Sequence, residues 1–292
     1  MVSTISTERT SAEMAGHSSQ LTLASGVEVT GIGLHSGDRV TCRLHPAEVN
    51  TGRVFVRVDL ADRPEIPARA DATTPAQLST LLQTPSGASV RTIEHLVAAL
   101  TGLGIDNCRI ELDGAEVPIM DGSARDFVEA IAAVGTKPQA EPKRICPVDR
   151  PVAVWEGDAF VSVVPAPATR YTYGIDFANS PIGEQWFSWS ASPETFRTDV
   201  APARTFTRER DAELARQHGL IKGGSLDNAI VCTEETWLTP LRFANEPVRH
   251  KLLDLLGDLS LTGVTWQGHF IAYKAGHTLH ARFARELLDQ LG

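Results

Sequence analysis

VEVTGIGLHSGDRVTCRLHPA, residues 27–47, alternates apolar and polar side chains, and GRVFVRVDL at residues 52–60 resumes the alternation after a turn. A period of two puts every second side chain on one face, so these runs read as successive strands joined by tight turns. The expected sheet is antiparallel. Downstream the period changes. Thr92 is placed to cap a helix that runs to about Leu100, with Leu96, Ala99 and Leu100 on its apolar face and Gly102 ending it. Glu94 and His95 then fall in its first turn. A strand over residues 107–112 follows, and Ser123 is placed to cap a second helix carrying Phe127, Val128, Ile131 and Ala132.

Residues 136–147, TKPQAEPKRICP, hold three prolines and little periodicity, which marks them as the expected linker. The pattern then restarts. Strands are expected near residues 152–155, 160–164, 171–177 and 185–189, then a polar helix around 208–218, a Gly-Gly turn and a strand at 228–232. A helix around His250, a strand at 268–274 and a last helix at 278–291 complete the chain. Strands followed by helices, twice over, predict an α+β protein of two similar layered domains, residues 21–140 and 147–292, preceded by a mobile tail at residues 1–20. No sequence repeat is strong enough to prove duplication.

Composition narrows the classes of function. The 292 residues are 42% hydrophobic, enough to bury a sizeable core in two domains. A net charge of −9 argues against nucleic acid, which needs a concentrated basic face, and favours a small-molecule substrate. Cys42, Cys108, Cys146 and Cys232 are far apart and form no CxxC pair, so they read as reduced, buried thiols. The first twenty residues, rich in Ser, Thr and Glu, do not resemble a secretory signal, and no run of about 18 apolar residues predicts a membrane-spanning helix. The expected location is the cytoplasm, and a monomer is the favoured state.

Chemistry concentrates in RHKLLDLLGD, residues 249–258, where His250, Asp254 and Asp258 recur at steps of four. One helical face carries all three. A leucine-rich helix gains nothing for its core from such a stripe, whereas a metal gains two oriented ligands. Asn245 is the expected cap, with Pro247 tolerated in the first turn. The competing reading is a His-Asp pair on a solvated face. For Glu94 and His95 it is an ordinary capped helix with exposed polar residues. Ligation by His95, His250 and Asp254 would leave one position open, the arrangement of catalytic rather than structural zinc, and Glu94 could act as the base. His277, after Gly276 at a strand end, could be held cationic by Asp258 to stabilise an oxyanion or protonate a leaving amine, or it could be a plain turn histidine. Of the remaining histidines, His17 lies in the tail, and His45, His218, His269 and His280 read as surface or filler residues.

Assembled in order, these residues resemble the zinc-dependent UDP-3-O-acyl-N-acetylglucosamine deacetylase family. The matching blocks are TGIGLHSG at residues 30–37, TIEHLVAALTGLGIDN at 92–107, EVPIMDGSA at 116–124 and ARTF at 203–206. KGGSLDNAIV at 222–231, RHKLLDLLGDL at 249–259 and YKAGH at 273–277 complete them. The resemblance implies two α+β domains whose sheets sandwich the helices, a βαβ insert near residues 206–232, and hydrolysis of a 2-acetamido group in lipid A synthesis. It implies that His95, His250 and Asp254 bind one catalytic Zn2+, with Glu94 as general base and His277, backed by Asp258, as acid and oxyanion stabiliser. Thr205 would help hold the tetrahedral intermediate, and Phe206 and Lys251 would contact a UDP-sugar substrate bearing an acyl chain. His and Asp donors also suit iron or cobalt.

One segment departs from the family pattern. Where a small and then a hydrophobic residue is usual, at the start of the insert that lines the acyl passage, this chain has Thr207-Arg208-Glu209-Arg210. Buried unpaired, those charges would be costly. Either they point outward or the acyl group is differently accommodated, in which case a related amino sugar with a different or no long acyl chain becomes the substrate.

Overall fold

The computed structural model describes residues 19–178 and 180–291. The expected tail lies outside that range except for Ser19 and Gln20, which instead open a strand, Ser19–Leu23. The architecture is α+β. One five-stranded sheet contains β1 (Val27–Ile32), β2 (Arg39–Pro46), β3 (Arg53–Arg57), β4 (Glu65–Pro67) and β5 (Cys108–Leu112) in the order β1-β2-β5-β3-β4. A second contains β6 (Val152–Glu156), β7 (Ala159–Val164), β8 (Arg170–Phe177), β9 (Gly183–Ser190) and β10 (His269–Tyr273) in the order β6-β7-β10-β8-β9. The two orders are the same.

Both sheets are mixed rather than antiparallel. β5 runs antiparallel to β2 but parallel to β3, and β10 runs antiparallel to β7 but parallel to β8. A parallel pair needs a crossover, and a helix supplies it each time. Those helices are α1 (Glu94–Gly102), before β5, and α4 (Glu246–Leu259), before β10. α2 (Arg125–Val134) and α5 (His277–Leu288) follow the central strands, and α3 (Glu209–Gln217) lies in the insert between Phe206–Arg208 and Ile230–Cys232, which pair in parallel. Four strands, a helix, a strand and a helix thus occur twice, a duplication the sequence alone did not establish.

The expected linker is two short strands. Thr136–Pro142 pairs with Ser19–Leu23, and Ile145–Pro147 pairs with Thr265–Gln267 from the second half. Each lies in a two-stranded sheet with a free edge, where a missing proline N–H breaks no central ladder. The expected caps also differ. Thr92 adopts a left-handed φ of 57°, and its hydroxyl donates to Glu116 Oε1 rather than capping α1. Glu116 also accepts the backbone N–H groups of His35 and Ser36, so one carboxylate ties the TGIGLHSG loop to the entry of α1. Ser123 accepts from the Arg125 backbone, but α2 begins at Arg125 with Ala124 as its boundary residue.

Alternation delivers the sheet faces to the core. Val40, Cys42 and Leu44 on β2 and Cys108, Ile110 and Leu112 on β5 are buried in one cluster that continues through Val161, Val163, Tyr173 and Phe270 of the second sheet. α1 packs along α4 between these faces and is buried almost all round, which an amphipathic surface helix would not be. The two helices meet at Gly257. A Cβ there would lie inside the contact surface of the Glu94 carbonyl oxygen, so glycine alone permits this approach.

Gly257→Ala should therefore destabilise the fold by about 1–3 kcal/mol, although alanine is the better helix former by about 1 kcal/mol. Thermal unfolding checks this, and an unchanged or raised Tm would contradict the packing argument.

Candidate metal and catalytic site

α4 presents His250 and Asp254 one turn apart, and α1 brings His95 to them from the other half. The helical surface here is not solvated: His95, His250 and Asp254 are 4%, 2% and 3% exposed, and Glu94 is 3% exposed. That removes the readings as exposed polar pairs. Asn245 bounds α4, but its side chain makes no capping bond and accepts from Arg249 Nε instead.

Local bonds orient each donor. His250 Nδ1 donates to the Ala203 carbonyl at 3.0 Å, which leaves the Nε2 lone pair directed into the site. Lys251 Nζ holds Asp254 Oδ2 at 2.8 Å. Asp254 Oδ1 is buried and has no hydrogen-bond partner among the described residues. It lies 3.4 Å from His250 Nε2 and 3.7 Å from His95 Nε2. Donors bonded tetrahedrally to one ion at about 2.1 Å stand about 3.4 Å apart, so this trio fits a metal such as zinc. Burial, with the neighbouring imidazole second, pushes His95 down to about 3, and burial likewise lowers His250, so both are the neutral bases a metal requires. Burial opposes the charge on Asp254, but the Lys251 ammonium and the cationic His277 hold it well below the usual carboxylate range.

Beside the trio, Glu94 and His277 face each other, Oε1 to Nε2, across 3.8 Å. Burial raises Glu94 to about 7, against the pull of His277. Burial disfavours the His277 cation, yet Asp258, whose Oδ2 is 2.8 Å from Nδ1, outweighs it and lifts the imidazole to about 9. The turn before His277 is made by Lys274, with φ 51°, not by Gly276, where a Cβ would meet nothing within 4 Å.

Sequence reading missed two neighbours of this pair. Thr80 donates its backbone N–H to Glu94 Oε2 at 3.1 Å and its hydroxyl to Asp258 Oδ1, in a loop with no motif to mark it. His280, expected to be surface or filler, is fully buried and bonds Asp258 Oδ2 through Nδ1 at 2.8 Å. Its spacing of three from His277 puts it on the same helical face, a signal that was present.

The segment after Ala203 runs past the site. Phe206 sets its ring 6.4 Å from His250 and 5.5 Å from Phe177, and Thr205 is anchored by its backbone to Gly122 and Ile230. The charged run that follows is not buried unpaired. Arg208 bonds Asp211 and lies over the Phe177 ring, Arg210 pairs with Glu234, and Glu209 is exposed.

Imidazoles and a carboxylate converging from both halves of a duplicated α+β fold, beside a raised carboxyl and a cationic imidazole, are an arrangement suited to metal-assisted hydrolysis. Residues 20–289 match the family model of UDP-3-O-acyl N-acetylglycosamine deacetylases, and the chain belongs to that family. It is 52% identical over 275 residues to the UDP-3-O-acyl-N-acetylglucosamine deacetylase of Trichormus variabilis, covering 92% of this chain and 98% of that protein. The protein of the same name from Thermosynechococcus vestitus is 52% identical over 272 residues, 93% of this chain and 94% of that one. That from Myxococcus xanthus is 46% identical over 272 residues, 92% and 86%. Among the described residues no helix is long and apolar enough to cross a membrane.

Metal analysis of purified variants checks the ligand set. His250→Ala and Asp254→Ala should lose the ion while Glu94→Ala keeps it, and about one equivalent of metal in either ligand variant would contradict the assignment.

Proposed function

We propose that this chain hydrolyses the 2-acetamido group of UDP-3-O-(3-hydroxyacyl)-N-acetylglucosamine, releasing acetate and a free amine, in lipid A biosynthesis. The observation that carries the reading is the buried, unbonded Asp254 oxygen between two imidazole nitrogens, with Glu94 and His277 alongside. His95, His250 and Asp254 would hold a divalent ion, proposed as Zn2+, which when bound supplies a Lewis acid for the acetamide carbonyl and the attacking water.

The protein's own groups then move the protons. Glu94, fixed through Oε2 by Thr80, takes a proton from the attacking water on Oε1 as the new C–O bond forms. His277 directs Nδ1 at Asp258 and so keeps a second proton on Nε2, which stabilises the oxyanion and passes to nitrogen as the C–N bond breaks. The proton taken by Glu94 and that of the new carboxylic acid restore His277 and complete an ammonium, so that amide and water become carboxylate and ammonium with no proton left over. Thr205 assists at the oxyanion, and Phe206 and Lys251 contact the substrate. Binding alone would need neither base nor acid.

The printed names of the relatives support an acylated substrate. Leu214 and Leu226 on the insert, 55% and 52% exposed, offer apolar surface for an acyl chain. Because the charges at residues 208–210 are paired or exposed, the alternative substrate without a long chain loses its motive.

Acetate release from acylated UDP-N-acetylglucosamine, measured against pH, tests the roles. Glu94→Gln should lose about 10²–10⁴-fold in kcat. The protonated form of His277 is the active one, so wild-type activity should fall as pH rises through about 9. Asp258→Asn removes the charge that raises this histidine, so the alkaline limb should move to lower pH. A limb left in place, or normal turnover by Glu94→Gln, would sink the mechanism.

A further inference from the structure

Behind the His277–Asp258 pair lies a buried polar chain that the proposed chemistry does not use. Asp258 Oδ2 is shared: His277 Nδ1 and His280 Nδ1 both lie 2.8 Å from it, and Thr80 occupies Oδ1. His280 Nε2 lies 3.0 Å from the Tyr173 hydroxyl, which in turn donates to the Ala275 carbonyl at 2.7 Å. Tyr173 and His280 are both completely buried. Tyr173 sits on β8 and His280 on α5, so the chain spans the layer between sheet and helix and ends two residues before His277.

Asp258 is an acceptor, so His280 carries a proton on Nδ1, and the Tyr173 hydroxyl, with one proton to give, faces both the Ala275 carbonyl and His280 Nε2. The result is a carboxylate held by three donors, two from α5 and one from the loop that carries Thr80, which removes its freedom to turn about its own side-chain bond. A buried carboxylate that lost one of these donors would keep its charge but gain a second orientation. His277 takes its ring direction from Asp258 Oδ2, and so would gain one too.

We propose that His280, seated by Tyr173, is a positioning residue for the reaction: it locks Asp258 so that His277 presents Nε2 to the reacting amide. The inference rests on the reading of His277 as the acid. His280 is not one of the metal-ligand trio, and its two ring nitrogens are taken up by Asp258 and Tyr173.

Steady-state kinetics of the metal-loaded enzyme on acylated UDP-N-acetylglucosamine test it. His280→Leu should lower kcat about 10–100-fold, because misorientation of an acid costs rate, while KM stays within about two-fold. His280→Asn, whose amide can still donate to Oδ2, should recover most of that loss. Tyr173→Phe should lower kcat by a smaller factor, about three- to ten-fold, with KM again unmoved. If His280→Leu does not fold, the Asn and Phe variants decide alone. Unchanged kcat in His280→Leu or Tyr173→Phe would overturn the proposal, as would a His280→Asn enzyme no better than the leucine variant, or a KM that rises in step with the loss. His277→Ala separates the two levels. Normal turnover there removes the acid assignment and this inference with it, whereas lost turnover beside a fully active His280→Leu removes this inference only.

Discussion

Asp254 Oδ1 is a charged oxygen buried without a hydrogen bond among the described residues, and the site is organised around that cost. An ionised carboxylate is tolerated in a protein interior only where something repays its lost hydration. Lys251 satisfies the other oxygen, and the imidazoles of His95 and His250 stand beside the free one with burial favouring their neutral forms. Neutral imidazoles cannot neutralise an anion. A divalent cation can, and it would be held by all three at once.

The duplicated fold explains why such a cluster forms at the middle of the molecule. Each half sends its crossover helix, α1 or α4, between the two sheets, and the halves meet where these helices touch. The contact at Gly257 sets the Glu94 turn against α4, within reach of Asp254 and Asp258. The proposed ligands and proton-transfer groups thus sit on packed helices rather than on loops, which favours the sub-ångström placement that catalysis needs. Glu116 performs a related task at the start of α1, where it holds Thr92 in a left-handed conformation that threonine would not adopt alone.

What could be read from the sequence follows the range of the physics. The spacing of His250, Asp254 and Asp258 is local, set by one helical turn, and the structure places all three on a buried face of one helix. The alternation of β2 and β5 likewise marks which side chains enter the core. Alternation has the same period in parallel and antiparallel pairs, so strand direction was not legible, and both sheets proved mixed. Prolines at 138, 142 and 147 read as linker residues, yet edge strands accommodate them. Thr92 carries a valid cap signal that Glu116, 24 residues away, overrides. Thr80 meets Asp258 across 178 residues, a contact no local pattern announces. His280 differs, because its helical spacing from His277 was there to be used.

The central claim is that one ion sits against the unbonded oxygen of Asp254. Anomalous diffraction at the zinc edge from zinc-loaded crystals tests it directly. The account predicts a single strong peak at about 2.0–2.2 Å from Asp254 Oδ1, His95 Nε2 and His250 Nε2. A peak at Asp258, His277 and His280, the other cluster of ligand-type residues among the described residues, with none at Asp254 would contradict it.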